Sequence, residues 1–452
     1  MSLSLAPDIR SGRLDAADYA RHFADATPRL TAAQAVLEAE RCLYCFDAPC
    51  SNACPTRIDV PSFIRRIADG NLRGSASAIL QANPLGGMCA RVCPTENLCE
   101  AVCVRHTQED RPVAIGRLQR FAVDALMDSA RPQLFHRARA SGKKVAVVGA
   151  GPAGLACAHT LAKLGHEVVI FDAKPKAGGL NEYGLASYKT PNNFAQREVQ
   201  WLLAIGGIEM RHSWKLDSVA QLNALRRDFD ALFLGMGLPN THQLGIPGEA
   251  LFGVQDAVDF IALLRQAEDL SMLPIGRQMV VIGGGMTAVD AAVQSKLLGA
   301  QEVHMVYRRG PEAMSASKAE QEWAQTNGVM IQHWLTPLEV MPNSFDPQYA
   351  GGVRFARQKM VNGKLQATGE TLVLEADMVL KAIGQTLGNP LLAQADFELQ
   401  MGRIATDAHG LTSQPGVWAG GDCRAGGLDL TVEAVAHGNA SAQAIHQHLM
   451  NS

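Results

Sequence analysis

Apolar residues recur at spacings of three and four along the first part of the chain, as in TAAQAVLEAERCLYC and VPSFIRRIADGNLRGSASAILQ. That period predicts amphipathic helices, interrupted here by cysteines. A polar break at Ala140-Ser141-Gly142-Lys143-Lys144 ends the pattern. Beyond it, apolar runs of strand length alternate with glycine turns and helical segments almost to the end, which predicts α/β architecture. Two strand–glycine–helix units stand far apart, VAVVGAGPAGLACAHTLAKLG and VVIGGGMTAVDAAVQSKLLG, and imply two nucleotide sites.

At 452 residues there is room for about three domains, none of which needs a metal merely to make up for a small core. The formal charge of -3, from 41 basic and 44 acidic residues, gives no electrostatic reason to expect nucleic acid or an anionic membrane. The N-terminus lacks a basic start followed by an apolar core, and no apolar stretch approaches the roughly 18 residues of a membrane span. A cytoplasmic location is expected, where clustered thiols serve as metal ligands or redox groups.

Eight of the ten cysteines lie in two runs, Cys42, Cys45, Cys50, Cys54 and Cys89, Cys93, Cys99, Cys103. Eight thiolates could supply two four-ligand centres. Each run contains a Cys-Pro step, Cys54-Pro55 and Cys93-Pro94, and in ferredoxin-like runs the cysteine before proline ligates the neighbouring cluster. Two iron–sulfur clusters with interleaved ligands are therefore favoured over a pair of zinc sites, a zinc-stabilised interaction module or a disulfide framework. Spacing alone groups Cys54, Cys93, Cys99 and Cys103, and completes Cys42, Cys45 and Cys50 with Cys89.

In the first glycine loop, Gly149 permits the tight turn, Gly151 lets the backbone approach a pyrophosphate, and Gly154 lets the helix pack on the strand. Asp172, at the end of the next strand, can accept ribose hydroxyls. Near the C-terminus a strand ends in Gly421-Asp422 before a helix from about Thr431, an arrangement suited to the ribityl and phosphate end of FAD. The isolated Cys157 and Cys423 read as core residues. In the second loop Gly283, Gly285 and Ala288 form the G-x-G-x-x-A variant. The following strand ends in Arg308 and Arg309, whose planar forks suit a 2′-phosphate and point to NADPH.

A nicotinamide delivers two electrons at once and an iron–sulfur cluster takes one, so the order NAD(P)H, FAD, cluster follows from the inventory. No third nucleotide loop remains for reducing an organic substrate, and a partner subunit is expected. The expected fold is α plus α/β: a helical iron–sulfur domain followed by two Rossmann-like domains, the second inserted in the first. Its boundaries are expected at 1–140 for the helical domain, 141–250 and 389–452 for the two parts of the FAD domain, and 251–388 for the NAD(P) domain.

The runs RCLYCFDAPCSNACP and NPLGGMCARVCPTENLCEAVC, with PVAIGRLQRF, GAGPAG and the closing GD…TVEAV, resemble the N-terminal half of dihydropyrimidine dehydrogenase. They resemble more closely the flavin/iron–sulfur subunits of the NAD-dependent bacterial enzymes, in a wider family that includes glutamate synthase small subunits. The resemblance implies two 4Fe-4S clusters and replaces Cys89 as ligand by Gln119, leaving Cys42, Cys45, Cys50, Cys54, Cys93, Cys99 and Cys103 as the thiolates. It places Gly178, Gly179, Leu180, Tyr188 and Lys189 along the flavin and closes Thr431 to Glu433 over it. It also implies an FMN-containing partner that reduces uracil or thymine, in a heterotetramer. Ser315 stands where NADPH-using members carry a further basic residue, which moves the expectation slightly toward NADH.

Overall fold

Capping side chains open the helices of the cysteine-rich region. Thr31 and Gln34 form a capping box at Ala32–Glu40, Asp59 caps Val60–Ala68, and Asn71 caps Leu72–Ala82. On Val60–Ala68 the residues Val60, Phe63, Ile64 and Ile67 share one face and are at most 2% exposed. They join Ile79 and Leu80 and, from the helix Ile115–Met127, Leu118 and Val123 in one core.

The computed structural model describes residues 8–451, and these divide into two compact units. The unit holding the cysteines comprises Thr27–Glu182, Asn192–Asn240 and the chain from Thr386 onward. The other comprises the residues through Ala26, Tyr183–Pro191 and Thr241–Gln385. The second nucleotide fold is thus inserted in the first. Residues 8–26 belong with this inserted unit, whereas the range 1–140 assigns them to the helical domain. Ile9–Arg10 pairs antiparallel with Ile275–Gly276, and Tyr19 joins a core with Ile261 and Val289. A helical period reveals an apolar face but not what covers it.

Each unit contains a five-stranded parallel sheet. In the larger unit the order is Val417–Ala419, Ala231–Leu234, Lys144–Val148, Glu167–Phe171, Ile208–Arg211. In the inserted unit it is Met330–His333, Glu302–Tyr307, Gln278–Ile282, Met378–Lys381, Val254–Asp256. The strand before each glycine loop is central, so each loop emerges at the carboxyl edge where flanking connections diverge. A three-stranded antiparallel sheet, Leu335–Pro342, Ala350–Val361 and Lys364–Glu375, completes the inserted unit. No helix among the described residues is long and apolar enough to cross a membrane.

The two glycine loops differ in how tightly they close. A Cβ on Gly154 would lie 1.9 Å from the Gly149 carbonyl oxygen, whereas the matching Ala288 is buried with its methyl accommodated. Gly154→Ala is expected to destabilise the protein by about 1–3 kcal/mol and to lose FAD. Ala288→Gly should cost about 1 kcal/mol or less, through helix propensity alone. Thermal melts and flavin content check both, and a Gly154→Ala protein with wild-type melting and full FAD contradicts the packing argument.

Candidate functional site

After the helix Ala32–Glu40 the chain passes Cys42 and runs through Tyr44 (φ 50°) and Ala48 (φ 40°) before the short helix Pro49–Ala53. Neither residue is suited to the left-handed region, where each costs of order 1 kcal/mol or more. The loop so shaped brings Cys42, Cys45 and Cys50 to one cavity. Cys103 lines the same cavity, with Val60, Pro61, Ile64, Val113 and Ile115 among its apolar walls. This corrects the grouping by spacing, which puts Cys103 with Cys54, Cys93 and Cys99. Helix packing, which spacing does not encode, returns the end of the second run to the start of the first.

The remaining thiols form a neighbouring group. Cys93 is pushed well above its ordinary value by a hydrogen bond with Cys89, then by burial, with Cys99 and Cys54 adding. Burial and Glu100 raise Cys99, and Cys54 contributes. Cys89, 2% exposed, therefore stands beside this second group and not beside Cys42, Cys45 and Cys50. In the first group burial raises Cys42, and pushes Cys50 up to about 11, with Cys103 adding to both. Thiols held this way ionise when a cation takes the place of the proton, which is the chemistry iron offers. The donor set fits two clusters. Among the described residues no three His, Cys, Asp or Glu side chains converge on one ion, and a four-iron cluster needs no such convergence because each ligand binds a different iron.

Gln119 lies on Ile115–Met127, 8% exposed, and its Nε2 donates to the Gly86 carbonyl at 2.7 Å. Gly86 begins the helix Gly86–Val92, which carries Cys89 and ends at Cys93. Gln119 thus bonds the start of the helix whose other end is Cys93 of the second group, while Cys89 stands in that group itself. Glu198, from the helix Phe194–Leu203, meets the same short helix: its carboxylate accepts from Gly87 N at 2.7 Å and Met88 N at 3.1 Å. Burial raises Glu198 to about 8, opposed by those N–H groups and by Arg91. Sequence reasoning missed Glu198, since a glutamate on an amphipathic helix reads as its polar face.

At the first glycine loop Asp172 accepts from Ala150 N at 2.6 Å and from Lys174 N at 2.7 Å, and burial raises its carboxyl. It braces the loop, while each oxygen keeps a lone pair for a ribose hydroxyl. Gly178-Gly179 closes on the same loop, for a Cβ on Gly179 would lie 2.7 Å from Gly151 Cα. Leu180 is exposed. Asn181, 1% exposed, accepts from Thr431 Oγ1 at 3.0 Å, and its Nδ2 has no partner. That buried donor beside two glycine turns suits a bound dinucleotide, and its only sequence signal is the preceding Gly-Gly-Leu.

Gly421 approaches the first turn of Pro152–Lys163, where a Cβ on it would lie 3.0 Å from Ala153 Cβ. The adjacent Asp422 is raised to about 6, by burial first, with Asp429 and Glu433 adding and Arg403 opposing. Glu433 accepts from Leu428 N at 2.6 Å and so closes the turn into the helix Thr431–Asn451. Cys157 and Cys423 are fully buried, in line with core roles, and all ten cysteines are free.

In the inserted unit Gly283 packs against the end of the neighbouring strand, where a Cβ would lie 2.3 Å from Ala382 O. A Cβ on Gly285 would lie 3.0 Å from Ser315 Oγ, so this neutral hydroxyl sits at the loop itself. Arg308 and Arg309 are exposed and form no ion pair among the described residues. Lys189 belongs to this unit: its ammonium is 2.7 Å from Asp290, on the helix Met286–Leu297, and 3.2 Å from Glu320. Burial alone would lower Lys189, but Asp290, Tyr188 and Glu320 hold it above its ordinary value.

Residues 143–438 match the pyridine nucleotide-disulphide oxidoreductase family, and residues 19–131 match dihydropyrimidine dehydrogenase domain II, 4Fe-4S cluster. The NAD-dependent dihydropyrimidine dehydrogenase subunit PreT of Salmonella typhimurium is 34% identical over 424 residues, covering 94% of this chain and 96% of that one. The glutamate synthase [NADPH] small chain of Escherichia coli is 34% identical over 434 residues, covering 91% of each. Among solved structures, Mycobacterium tuberculosis FprA in complex with NADPH superposes with a TM-score of 0.56 at 20% identity, covering 68% of this chain and 85% of that one. Lactococcus lactis thioredoxin reductase gives 0.54 at 20% identity, covering 69% and 100%. These two share the fold of the flavin and nucleotide modules.

The corrected grouping is tested by iron analysis of Cys54→Ala, Cys103→Ala and the double variant. With Cys103 in the first group and Cys54 in the second, each single variant is expected to impair one cluster and the double variant both. A double variant that keeps one cluster intact returns Cys54 and Cys103 to a common centre.

Proposed function

Because the chain belongs to the pyridine nucleotide-disulphide oxidoreductases, in the branch that joins this module to a dihydropyrimidine dehydrogenase-type iron–sulfur domain, we propose that it is the electron-input subunit of a dihydropyrimidine dehydrogenase. It is an NAD(P)-dependent redox enzyme with FAD and 4Fe-4S cofactors. The observation that carries the pyrimidine reading is the buried Gln119, bonded to the start of the helix that ends at Cys93. An amide in a thiolate's place marks the dihydropyrimidine dehydrogenases within this branch, where the glutamate synthase small subunits tend to carry glutamate.

When bound, FAD exchanges a two-electron hydride for single electrons that clusters can carry. The chain's own residues hold the parts in place. The loop Gly149 to Gly154 would present its backbone and the start of Pro152–Lys163 to the pyrophosphate, Asp172 would take the ribose, and Asn181, Asp422 and Thr431 to Glu433 would hold the remainder. Lys189 is assigned to the flavin by the resemblance alone. Cys42, Cys45, Cys50 and Cys103 would hold one cluster; Cys54, Cys93, Cys99 and Gln119 would hold the other. A neutral amide there would leave the second cluster less negative and so alter its potential.

At the second loop Ser315 beside Gly285 supplies no charge for a 2′-phosphate, and the relative PreT is named as NAD-dependent, so NADH is the favoured donor. The relatives named as subunits support a partner, here an FMN-containing one that reduces the 5,6 double bond of uracil or thymine in a cytoplasmic heterotetramer. The glutamate synthase small chain, equally identical over a slightly smaller share of the chain, supports a second reading as that enzyme's input subunit.

Reconstitution with an FMN-bearing dihydropyrimidine dehydrogenase subunit is expected to give uracil-dependent NADH oxidation. Activity only with a glutamate synthase large subunit transfers the assignment to the second reading. In the same assay Arg308→Ala and Arg309→Ala should leave kcat/KM for NADH within about twofold and lower any activity with NADPH about tenfold, the scale of one charge-assisted phosphate contact. A large loss with NADH contradicts the role assigned to the arginines.

A further inference from the structure

The helix Gly86–Val92 joins three parts of the larger unit. Its N-cap position, Leu85, offers no side-chain cap for the first N–H groups. Glu198 reaches them from Phe194–Leu203, a helix of the flavin-binding part, with its carboxylate on Gly87 N at 2.7 Å and Met88 N at 3.1 Å. Glu198 is fully buried. Gly87 makes the approach possible, because a Cβ there would lie 2.7 Å from Glu198 Oε1 and 2.5 Å from Phe194 Cζ. The next turn is held too: the Arg91 guanidinium lies 3.4 Å from the centre of the Phe194 ring and 2.7 Å from Asp124.

The residue preceding Gly87 supplies the carbonyl that takes Gln119 Nε2 at 2.7 Å. A carboxamide has one donor end and one acceptor end, so committing Nε2 to Gly86 turns Oε1 to the opposite side. The other end of the same helix carries Cys93, whose N–H donates to Cys89 O at 3.0 Å. One short helix thus carries a thiol of the second group at its end and fixes the orientation of the Gln119 amide at its start.

We propose that Glu198 is a positioning residue for the second cluster: by anchoring the start of Gly86–Val92 it sets the Gly86 carbonyl, and through it the Oε1 atom of Gln119, against Cys54, Cys93 and Cys99. The inference rests on the reading of Gln119 as a ligand. It ties a residue of the flavin-binding part to the electronic state of a cluster that it does not touch.

The test uses anaerobically purified holoprotein, with FAD and iron content and the low-temperature EPR spectra and midpoint potentials of the reduced clusters as readouts. Glu198→Ala is expected to shift the signal and potential of one cluster, or to lose that cluster's iron, while FAD and the other cluster stay at wild-type levels. Gln119→Ala should alter the same signal. Glu198→Gln, which keeps an oxygen acceptor for the two N–H groups, should restore the wild-type spectrum. If Glu198→Ala does not fold, Glu198→Asp, which withdraws the carboxylate by one methylene, is read in its place. A lower melting temperature with both cluster signals unchanged, when Gln119→Ala does change one, overturns the positioning role. If Gln119→Ala leaves both signals unchanged, the ligand reading itself is wrong and the role of Glu198 falls with it.

Discussion

Burying thiolates side by side is tolerable when something cationic takes the place of their protons, and the N-terminal half of the larger unit is arranged around that constraint. Cys42 and Cys50 are raised by burial and by their neighbours, and Cys93 and Cys99 are raised in the adjacent group. The helices that carry these residues are short, five residues in Pro49–Ala53 and seven in Gly86–Val92, below the length at which a helix persists by itself. They are held by a common core around Phe63, Ile64 and Leu118 and by Glu198, which must also offset the strain at Tyr44 and Ala48. Iron binding to the clustered thiolates would add a further attraction to that framework.

The nucleotide sites obey a different constraint, close approach of backbone to backbone. Gly149, Gly154 and Gly179 meet carbonyl oxygens or Cα atoms at distances no side chain permits, and Gly283 does the same in the inserted unit. This leaves unobstructed N–H groups at a helix start for a pyrophosphate. The two loops share a central strand and a carboxyl-edge position, yet the first closes tighter than the second, where Ala288 replaces a glycine. Asp172 links two functions, since the carboxylate that braces Ala150 also retains acceptor capacity for a ribose.

Elements with a strong period or a strict steric demand were legible in the sequence: the helices of the cysteine-rich region, both glycine loops, the insertion of one nucleotide fold in the other, and the core roles of Cys157 and Cys423. The grouping of the thiols was not. Spacing is one-dimensional, and Cys103 reaches Cys42 because Val60–Ala68 and Ile115–Met127 pack together and carry their flanks with them. The antiparallel sheet ending in Lys364–Glu375 was missed because that strand is largely exposed and lacks an apolar alternation. Glu198 and Asn181 were missed because their importance lies in partners far along the chain, Gly87 and Thr431.

The central claim is that one chain carries a flavin and two four-iron clusters between a nucleotide donor and a partner. Its most direct test is the iron, acid-labile sulfide and FAD content of the anaerobically purified protein. The account predicts about eight iron, about eight sulfide and about one FAD per chain, from two 4Fe-4S centres and one flavin. About four iron with full flavin, or zinc in place of iron, contradicts it.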